Sequence, residues 1–300
     1  MVVRGNRSPE YYREQVFSLT NLPTLPIIAT EILRSSHEDN LSVNQLLPII
    51  EKDPPLAMKV LKIANSAYYG LKRDVKSLRH AIIVIGMREL SNVAISFSVI
   101  KDLSHDIGGY HISWKQFWKH SVACGYVAQL IVDELGISTR SNIYTFGLLH
   151  DIGKLALYRI DPEGYIEALE FEKYNKCSSC DAEKEIFGVT HSDVGWWMAE
   201  KWKISEEIKS AVGYHHHPEK VSDNELKMYA ALTQVADLVC NFRSLNFGSE
   251  CDFSIPVEAA GWKILQQEYE SLDKVDFESF VSGIEDELKT IKEMVGLLQT

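Results

Sequence analysis

The chain has 300 residues, of which 45% are hydrophobic, and its formal net charge at pH 7 is −11. This hydrophobic fraction supports a packed core, while the acidic balance disfavours nucleic-acid binding, which depends on clustered lysine and arginine. No run of about 18 apolar residues occurs, so we expect no membrane span. The first residues lack the apolar core of a signal peptide, and the five cysteines fit a reducing compartment, so we expect a cytoplasmic protein.

Helical signals dominate the first third of the chain. Asp53 followed by Pro54 marks the start of one helix, Ser77 marks the start of another, and Gly86 is a stop or hinge. The sequence predicts about five short helices over Leu22–Leu103. Alternation of apolar and polar residues, which is typical of half-buried strands, is nearly absent. The predicted fold class is therefore all-α.

Longer helices follow a polar, glycine-containing break at Leu103–Ser113. His120 lies on the apolar face of the first, and His191, with Thr190 as its N-cap, lies on the apolar face of a later one. We divide the chain into an N-terminal extension (1–21), a helical subdomain (22–104), a second helical subdomain (112–244) and a C-terminal helical extension (245–300).

The C-terminal extension carries an apolar stripe that runs at helical spacing from Phe277 to Leu298. It predicts one last helix. Two interpretations remain open: the stripe packs on the helices of its own chain, or it forms the seam of a homodimer.

The stretch GLLHDIGKLAL, Gly147–Leu157, places His150 and Asp151 in an apolar run, where an unpaired charge is costly. Asp237 likewise interrupts an apolar helix, and three histidines follow one another at His215–His217. Each has an ordinary explanation: a hydrogen bond in the core, a salt bridge or a solvated helix end. Their number, together with the two histidines on apolar faces, favours a metal centre, because imidazoles and carboxylates are ligands of Zn, Fe, Ni and Mn.

Cys177 and Cys180 have the spacing of zinc ligands, but no second pair accompanies them. We interpret them as ordinary cysteines of a loop.

The order His, His-Asp, His, His-His, Asp resembles the HD superfamily of metal-dependent phosphohydrolases, and HDIGK at residues 150–154 matches its central signature. The stretches LPTLPIIATEIL, IIEKDPPLAMKVLKIANSAYYG and SLRHAIIVIGMREL resemble the HDOD family, the HD-related output domain of bacterial signalling proteins. This resemblance covers about Leu22–Asp237. It implies a small helical N-terminal bundle joined to an HD-type helical bundle.

The resemblance also implies a site for one or two divalent ions, of Fe, Mn, Zn, Ni or Mg. It assigns one ion to His120, His150, Asp151 and Asp237, and a second ion to His191, His215 and His216, with Asp151 shared. Many HDOD proteins have lost such ligands, whereas this chain keeps the seven-position pattern of the dinuclear HD-GYP phosphodiesterases. Lys154 of HDIGK would steady a phosphate oxygen, so Asp151 and Lys154 are the candidate catalytic residues.

Two departures from the HD-GYP pattern narrow this expectation. No Gly-Tyr-Pro motif follows the three histidines, which argues against specificity for cyclic-di-GMP. Gln116 stands where some of these proteins place a glutamate that holds a third iron, which argues against a trinuclear centre.

Two functions remain open. The first is a bacterial signalling protein of HDOD type that acts through a protein partner and keeps a metal centre. The alternative is an active phosphohydrolase or phosphodiesterase whose ligand is a phosphoester or nucleotide, since a pair of ions suits that chemistry and no glycine-rich phosphate loop is present. If the ions are structural, closed coordination would instead lock the bundle.

Overall fold

A computed structural model describes residues 8–18, 25–36, 43–71, 74–103, 112–139, 141–243 and 258–299. Across these ranges the backbone forms seventeen α-helices and no β-strand, so the predicted all-α class is confirmed. Parts of the predicted N-terminal extension, of the break at Leu103–Ser113 and of the C-terminal extension lie outside the described residues. The division into subdomains stays a prediction.

The first group of helices precedes the polar break. It consists of α1 (Pro9–Ser18), α2 (Ile27–Ser36), α3 (Val43–Glu51), α4 (Pro54–Ala64), α5 (Leu78–Ile85) and α6 (Met87–Leu103). Both predicted caps are confirmed. The Asp53 carboxylate accepts the Leu56 N–H at 3.1 Å at the start of α4, and the Ser77 hydroxyl accepts the His80 N–H at 3.3 Å at the start of α5.

Gly86 separates α5 from α6. Its φ is +84°, in the left-handed region that glycine favours, and the two helices bend by 111° at this point. No described helix is by itself long and apolar enough to cross a membrane, although α5 and α6 taken together meet those two requirements.

The second group of helices carries the histidines and aspartates predicted as metal ligands. It consists of α7 (Trp114–Glu134), α8 (Ile143–Leu149), α9 (Ile152–Ile160), α10 (Pro162–Asn175), α11 (Ser179–Phe187), α12 (His191–Trp202), α13 (Glu206–Tyr214) and α14 (Asn224–Phe242). Helix α7 packs against α8 and α14, and α12 packs against α9 and α13. The predicted cap of α12 is confirmed, since the Thr190 hydroxyl accepts the Asp193 N–H and the Asp193 carboxylate accepts the Thr190 N–H.

The C-terminal helices are α15 (Ala260–Glu268), α16 (Phe277–Gly283) and α17 (Glu285–Gln299). The prediction of one last helix is wrong, because the helix breaks at Ile284, after Gly283 and before the acidic first turn of α17. The apolar stripe nevertheless continues across the break and is buried. Helix α17 packs along α7, so the stripe packs on its own chain. Whether the chain forms a homodimer stays a prediction.

One apolar core joins the two groups of helices. Helix α6 contacts α8, α17 contacts α4 and α6 as well as α7, and α1 packs on α12. The helices that carry the predicted site therefore pack against helices near both ends of the chain, α1 and α17.

Candidate metal centre

The seven side chains predicted as metal ligands come from five places in the second group of helices. They are His120 in the middle of α7, His150 and Asp151 between α8 and α9, His191 at the start of α12, His215 and His216 after α13, and Asp237 in α14. The structure brings all seven together, and only His216 among them is more than slightly exposed.

A close helix contact sets the distance between the His-Asp pair and His191. Gly153, two residues after Asp151, lies so near α12 that an added Cβ would be 1.9 Å from the His191 carbonyl oxygen. Asp151 and His191 are thereby drawn together, with Asp151 Oδ1 3.3 Å from His191 Nε2. The glycine of HDIGK is thus required by packing.

One half of the cluster lies around Asp237, and we call it the Asp237 subsite. Asp237 Oδ1 lies 3.0 Å from His120 Nε2 and 3.8 Å from His150 Nε2. Burial would lower the pKa of His120, but the hydrogen bond and charge of Asp237 outweigh it and raise that pKa to about 9. Burial would likewise raise the pKa of Asp237, but His120 and His150 lower it to about 2. The subsite therefore favours an ionised carboxylate.

The other half consists of three imidazoles and Asp151, and we call it the triple-imidazole subsite. His191 Nε2 lies 3.3 Å from His215 Nε2 and 3.0 Å from His216 Nε2. Asp151 Oδ1 lies 3.3 Å from the first of these nitrogens and 3.9 Å from the second. Burial, followed by the neighbouring imidazoles, lowers the pKa of His216 to about 3 and holds the pKa of His215 well below its usual range. Both rings are held neutral, which is the form that binds metals.

Hydrogen bonds outside the cluster orient three of the rings. The Nδ1–H group of His150 donates to the Gly147 carbonyl at 2.7 Å, that of His215 to the Val212 carbonyl at 2.8 Å, and that of His191 to the Glu183 carboxylate at 2.7 Å. A neutral ring whose Nδ1 carries the proton has a lone pair on Nε2. Each of these three Nε2 lone pairs therefore points inward.

Several inward atoms of the cluster lie within reach of one another. Nε2 of His150 is buried and has no hydrogen-bond partner in the part of the chain that the structure describes. Nε2 of His191 lies 3.3 Å from both Nε2 of His215 and Asp151 Oδ1. A cation among these atoms would satisfy each of them, so the residues fit a metal.

Asp151 lies between the two subsites. Its Oδ1 faces the triple-imidazole subsite, while its Oδ2 lies 3.5 Å from His150 Nε2 and 2.8 Å from Lys154 Nζ. Burial opposes ionisation of Asp151, but Lys154 and the surrounding imidazoles hold its pKa well below the usual range. Burial also opposes the charge of Lys154, but Asp151 raises its pKa. Lys154 thus lies at the cluster, with its ammonium group bound to the shared carboxylate. Its catalytic role stays a prediction.

Three residues of the cluster were not predicted as ligands or supports. Glu183 of α11 accepts both the Nδ1–H and the backbone N–H of His191, the latter at 2.6 Å. Cys124 of α7 adds a thiol to the Asp237 subsite, and Cys180 of α11 adds one near His191 and His216. Cys124 shares the apolar face of His120 in the sequence, whereas Glu183 had no local signal.

The comparisons with known proteins agree with this arrangement of helices. A family model described as the HDOD domain matches residues 22–218. An HDOD domain protein of unknown function from Geobacter sulfurreducens is 27% identical, with a TM-score of 0.79 and 96% of each chain covered. A proposed signal transduction protein from Marinobacter aquaeolei VT8 is 22% identical, with a TM-score of 0.72 over 93% of this chain and 60% of that one.

A proposed phosphohydrolase from Shewanella amazonensis SB2B is 20% identical, with a TM-score of 0.68 over 96% of this chain and 97% of that one. At such identities the last two likenesses concern the fold alone. The chain spans less than two-fifths of the length of the curated relatives that it matches, 38% of one and 32% of another.

Proposed function

This chain belongs to the HDOD family, and we propose that it is a signal-transduction protein that acts through a protein partner and carries a dinuclear HD-type metal centre. The main support for the metal centre is that three imidazole rings direct their Nε2 atoms inward, toward two carboxylates. One of these atoms, in His150, is buried and has no hydrogen-bond partner among the described residues. Neutral imidazoles and carboxylates are the ligands that Fe, Mn, Ni and Zn take in proteins.

Two ions fit the cluster better than one. The Asp237 subsite offers two imidazoles and a carboxylate, and the triple-imidazole subsite offers three rings. Asp151 directs one oxygen to each half, which suits a carboxylate shared between neighbouring cations. In this arrangement every inward nitrogen and carboxylate oxygen would be a ligand of a cation.

The burial of the cluster favours a regulatory role over turnover. Both carboxylates and four of the five imidazoles are buried, and the remaining ring, His216, is only partly exposed. A phosphoester must reach the ions directly to react. A closed centre instead suits a metal that fixes the helices around it.

The first group of helices offers a surface for a partner. Met58 of α4 is 66% exposed and Ile83 of α5 is 74% exposed, although both are large and apolar. Met58 borders a groove of about 500 Å³, in which Leu61 and Phe97 supply apolar area and lysines supply charge. Exposed apolar groups next to charged ones are typical of protein contacts.

The metal centre is tested by the metal content of the full chain, measured by mass spectrometry, with anomalous scattering from crystals to place the ions. We expect two ions per chain in the wild type and in His217→Asn, since His217 is exposed and lies beside the cluster. We expect less than one ion in Asp151→Asn, which loses the shared charge. An equal number of bound ions per chain in Asp151→Asn and in the wild type would contradict the proposed centre.

The partner surface is tested by a photo-crosslinking amino acid placed at Met58, in living cells. The control position is Tyr174 of α10, which is 88% exposed and far along the chain from the groove. We expect a discrete adduct from position 58 and none from position 174. The same adducts at both positions would remove the support for this surface.

The alternative function is a metal-dependent phosphohydrolase, favoured by Lys154 beside the shared carboxylate. When bound, a pair of cations would supply an activated water and positive charge for phosphate oxygens. Lys154 would then exchange its partner, from Asp151 to a phosphate oxygen. Turnover of phosphoesters or cyclic nucleotides by the Mn²⁺- or Fe²⁺-loaded protein, lost in Asp151→Asn, would establish this alternative, and silence against a broad panel with metal bound would exclude it.

A further inference from the structure

Helix α11 presents two side chains to the triple-imidazole subsite. The Ser178 side chain caps the helix in a capping box with Asp181, so Cys180 lies in the first turn. Glu183 follows three residues later on the same face and accepts the backbone N–H and the ring Nδ1–H of His191. Anchoring of α11 to His191 through Glu183 therefore also holds Cys180 against the subsite.

Cys180 is close enough to its neighbours for a shared ion. Its Sγ and one ring nitrogen each of His191 and His216 all lie within 4.8 Å of one another. With metal bonds of about 2.3 Å to sulfur and 2.1 Å to nitrogen, a sulfur and a nitrogen on one tetrahedral ion lie about 3.6 Å apart. The thiol would therefore have to move toward the two rings by up to about 1 Å when an ion binds.

We propose that Cys180 is a ligand of the ion in the triple-imidazole subsite, and that its thiolate makes this subsite select Zn²⁺ or Fe²⁺ over Mn²⁺ and Mg²⁺. The proposal rests on the metal centre proposed above. Soft thiolate ligands favour Zn and Fe, whereas carboxylates and water suit Mn and Mg. A subsite of imidazoles and a carboxylate alone would discriminate less between these ions.

This proposal departs from the interpretation of Cys177 and Cys180 as ordinary cysteines of a loop. Only Cys180 is inside helix α11, while Cys177 precedes its N-cap and belongs to none of the groups of candidate ligands among the described residues. The pair is therefore not a zinc-ribbon half. It supplies one ligand and, in Cys177, a matched control one residue outside the helix cap.

The experiment is a titration of the full-length, metal-free protein with Co²⁺, followed by absorption spectroscopy. The visible bands report binding to the centre, and the near-ultraviolet band reports a thiolate bound to cobalt. We expect both in the wild type and in Cys177→Ser, and we expect Cys180→Ser to keep the visible bands and lose near-ultraviolet intensity, with any remaining intensity coming from Cys124 in the Asp237 subsite. Competition with Zn²⁺ should give Cys180→Ser a roughly hundredfold weaker site, since even indirect partners contribute about 10–100-fold, with Mn²⁺ affinity changed much less.

The outcomes separate the two proposals. Visible bands with an unchanged near-ultraviolet band in Cys180→Ser would overturn the role of Cys180 and leave the metal centre intact. Absence of visible bands in the wild type would overturn both. If Cys180→Ser does not fold, alkylation of the wild type decides: Zn²⁺ should slow labelling of Cys180 and not of Cys177, and equal labelling rates would overturn the proposal.

Discussion

The two groups of helices bury different kinds of side chains. In the described part of the first group, α1 to α6, few charged side chains are withdrawn from solvent: Lys59 is buried, and Glu89 is partly buried with its carboxylate accepting from the Tyr126 hydroxyl. The core is otherwise apolar with a few hydroxyls and an amide. The second group, α7 to α14, buries many acids and imidazoles: His120, His150, Asp151, Asp161, Glu172, Glu183, His191, His215 and Asp237. Apolar packing accounts for the core of the first group. The buried acids and imidazoles of the second group require hydrogen-bond donors or cations as partners.

This difference separates two sources of stability. The first group should be stable without any ligand, since burial of apolar area supplies its folding energy. The second group places lone pairs and carboxylates against one another, so part of its stability should come from bound cations. The main predictions below perturb the second group, through its metal, its helix packing, the support of a ligand and its imidazoles.

Removal of the metal should have the largest effect. At a thousandfold excess of free metal over its Kd, binding stabilises the folded state by about 4 kcal/mol, or roughly 8 °C in Tm. We therefore expect a chelator to lower the Tm of the wild type by about that amount in scanning calorimetry. His191→Asn should already be destabilised and should respond little to the chelator. A wild type whose Tm ignores the chelator would contradict a stabilising ion.

A substitution that disturbs the packing between α9 and α12 should have the second-largest effect on stability. In Gly153→Ala the new Cβ would meet the His191 carbonyl at 1.9 Å, and neither backbone segment can move freely. We expect a loss on the order of 3 kcal/mol in the free energy of unfolding, together with weaker metal binding, because Asp151 and His191 must separate. The measurement is denaturant unfolding of the metal-free protein.

Gly296→Ala is the matched control for this change. No atom lies within 4 Å of the Cβ that would be added at Gly296 in α17. Replacement of an exposed helical glycine by alanine should stabilise the protein by about 0.5–1 kcal/mol. If both variants behaved alike, close packing at Gly153 would not be the reason for its glycine.

The sequence allowed the first group to be predicted almost completely. The caps at Asp53 and Ser77 and the stop at Gly86 are local signals, and local hydrogen bonds realise all three. The break at Ile284 was missed because the apolar stripe stays in register across it. Gly283 and the acids that follow it were the local signals of that break.

The candidate site was predicted only in part. The seven ligand positions came from the resemblance to the HD superfamily, and the structure brings them together from helices far apart in the chain. Glu183 and Cys180 were not predicted, because their role depends on how α11 packs against the start of α12. No periodicity or motif within α11 encodes that contact.

The third prediction concerns Glu183, which orients the proposed metal ligand His191. Its carboxylate accepts the Nδ1–H of His191 and thereby directs the Nε2 lone pair inward. Glu183→Gln keeps an acceptor but removes the charge, so we expect metal affinity to fall about 10–100-fold, with little change in the fold of the metal-free protein. Glu185→Gln, on the exposed side of the same helix, should bind metal as the wild type does. Equal affinities for the two variants in isothermal titration would contradict the role of Glu183.

The smallest effect concerns the pH dependence of the metal-free protein. Burial lowers the pKa of His216 from 6.5 to about 3, and it also lowers the pKa of His150 and His215. Below pH 6.5 the unfolded chain therefore binds protons that the folded chain does not, and stability falls as the pH falls. His120 does not offset this, because its pKa is raised to about 9 and its contribution is already complete below pH 6.5.

One imidazole with such a lowered pKa should cost about 1 kcal/mol between pH 6.5 and pH 5.5, because the unfolded ring is half-protonated at the higher pH and almost fully protonated at the lower one. Denaturant unfolding of the metal-free protein at pH 6.5 and pH 5.5 measures this difference. His216→Asn should reduce it by about 1 kcal/mol, whereas His217→Asn should leave it unchanged, because His217 is exposed. A difference that His216→Asn leaves intact would mean that this ring is protonated as readily in the folded chain as in the unfolded one, and the triple-imidazole subsite would then not be held neutral for a cation.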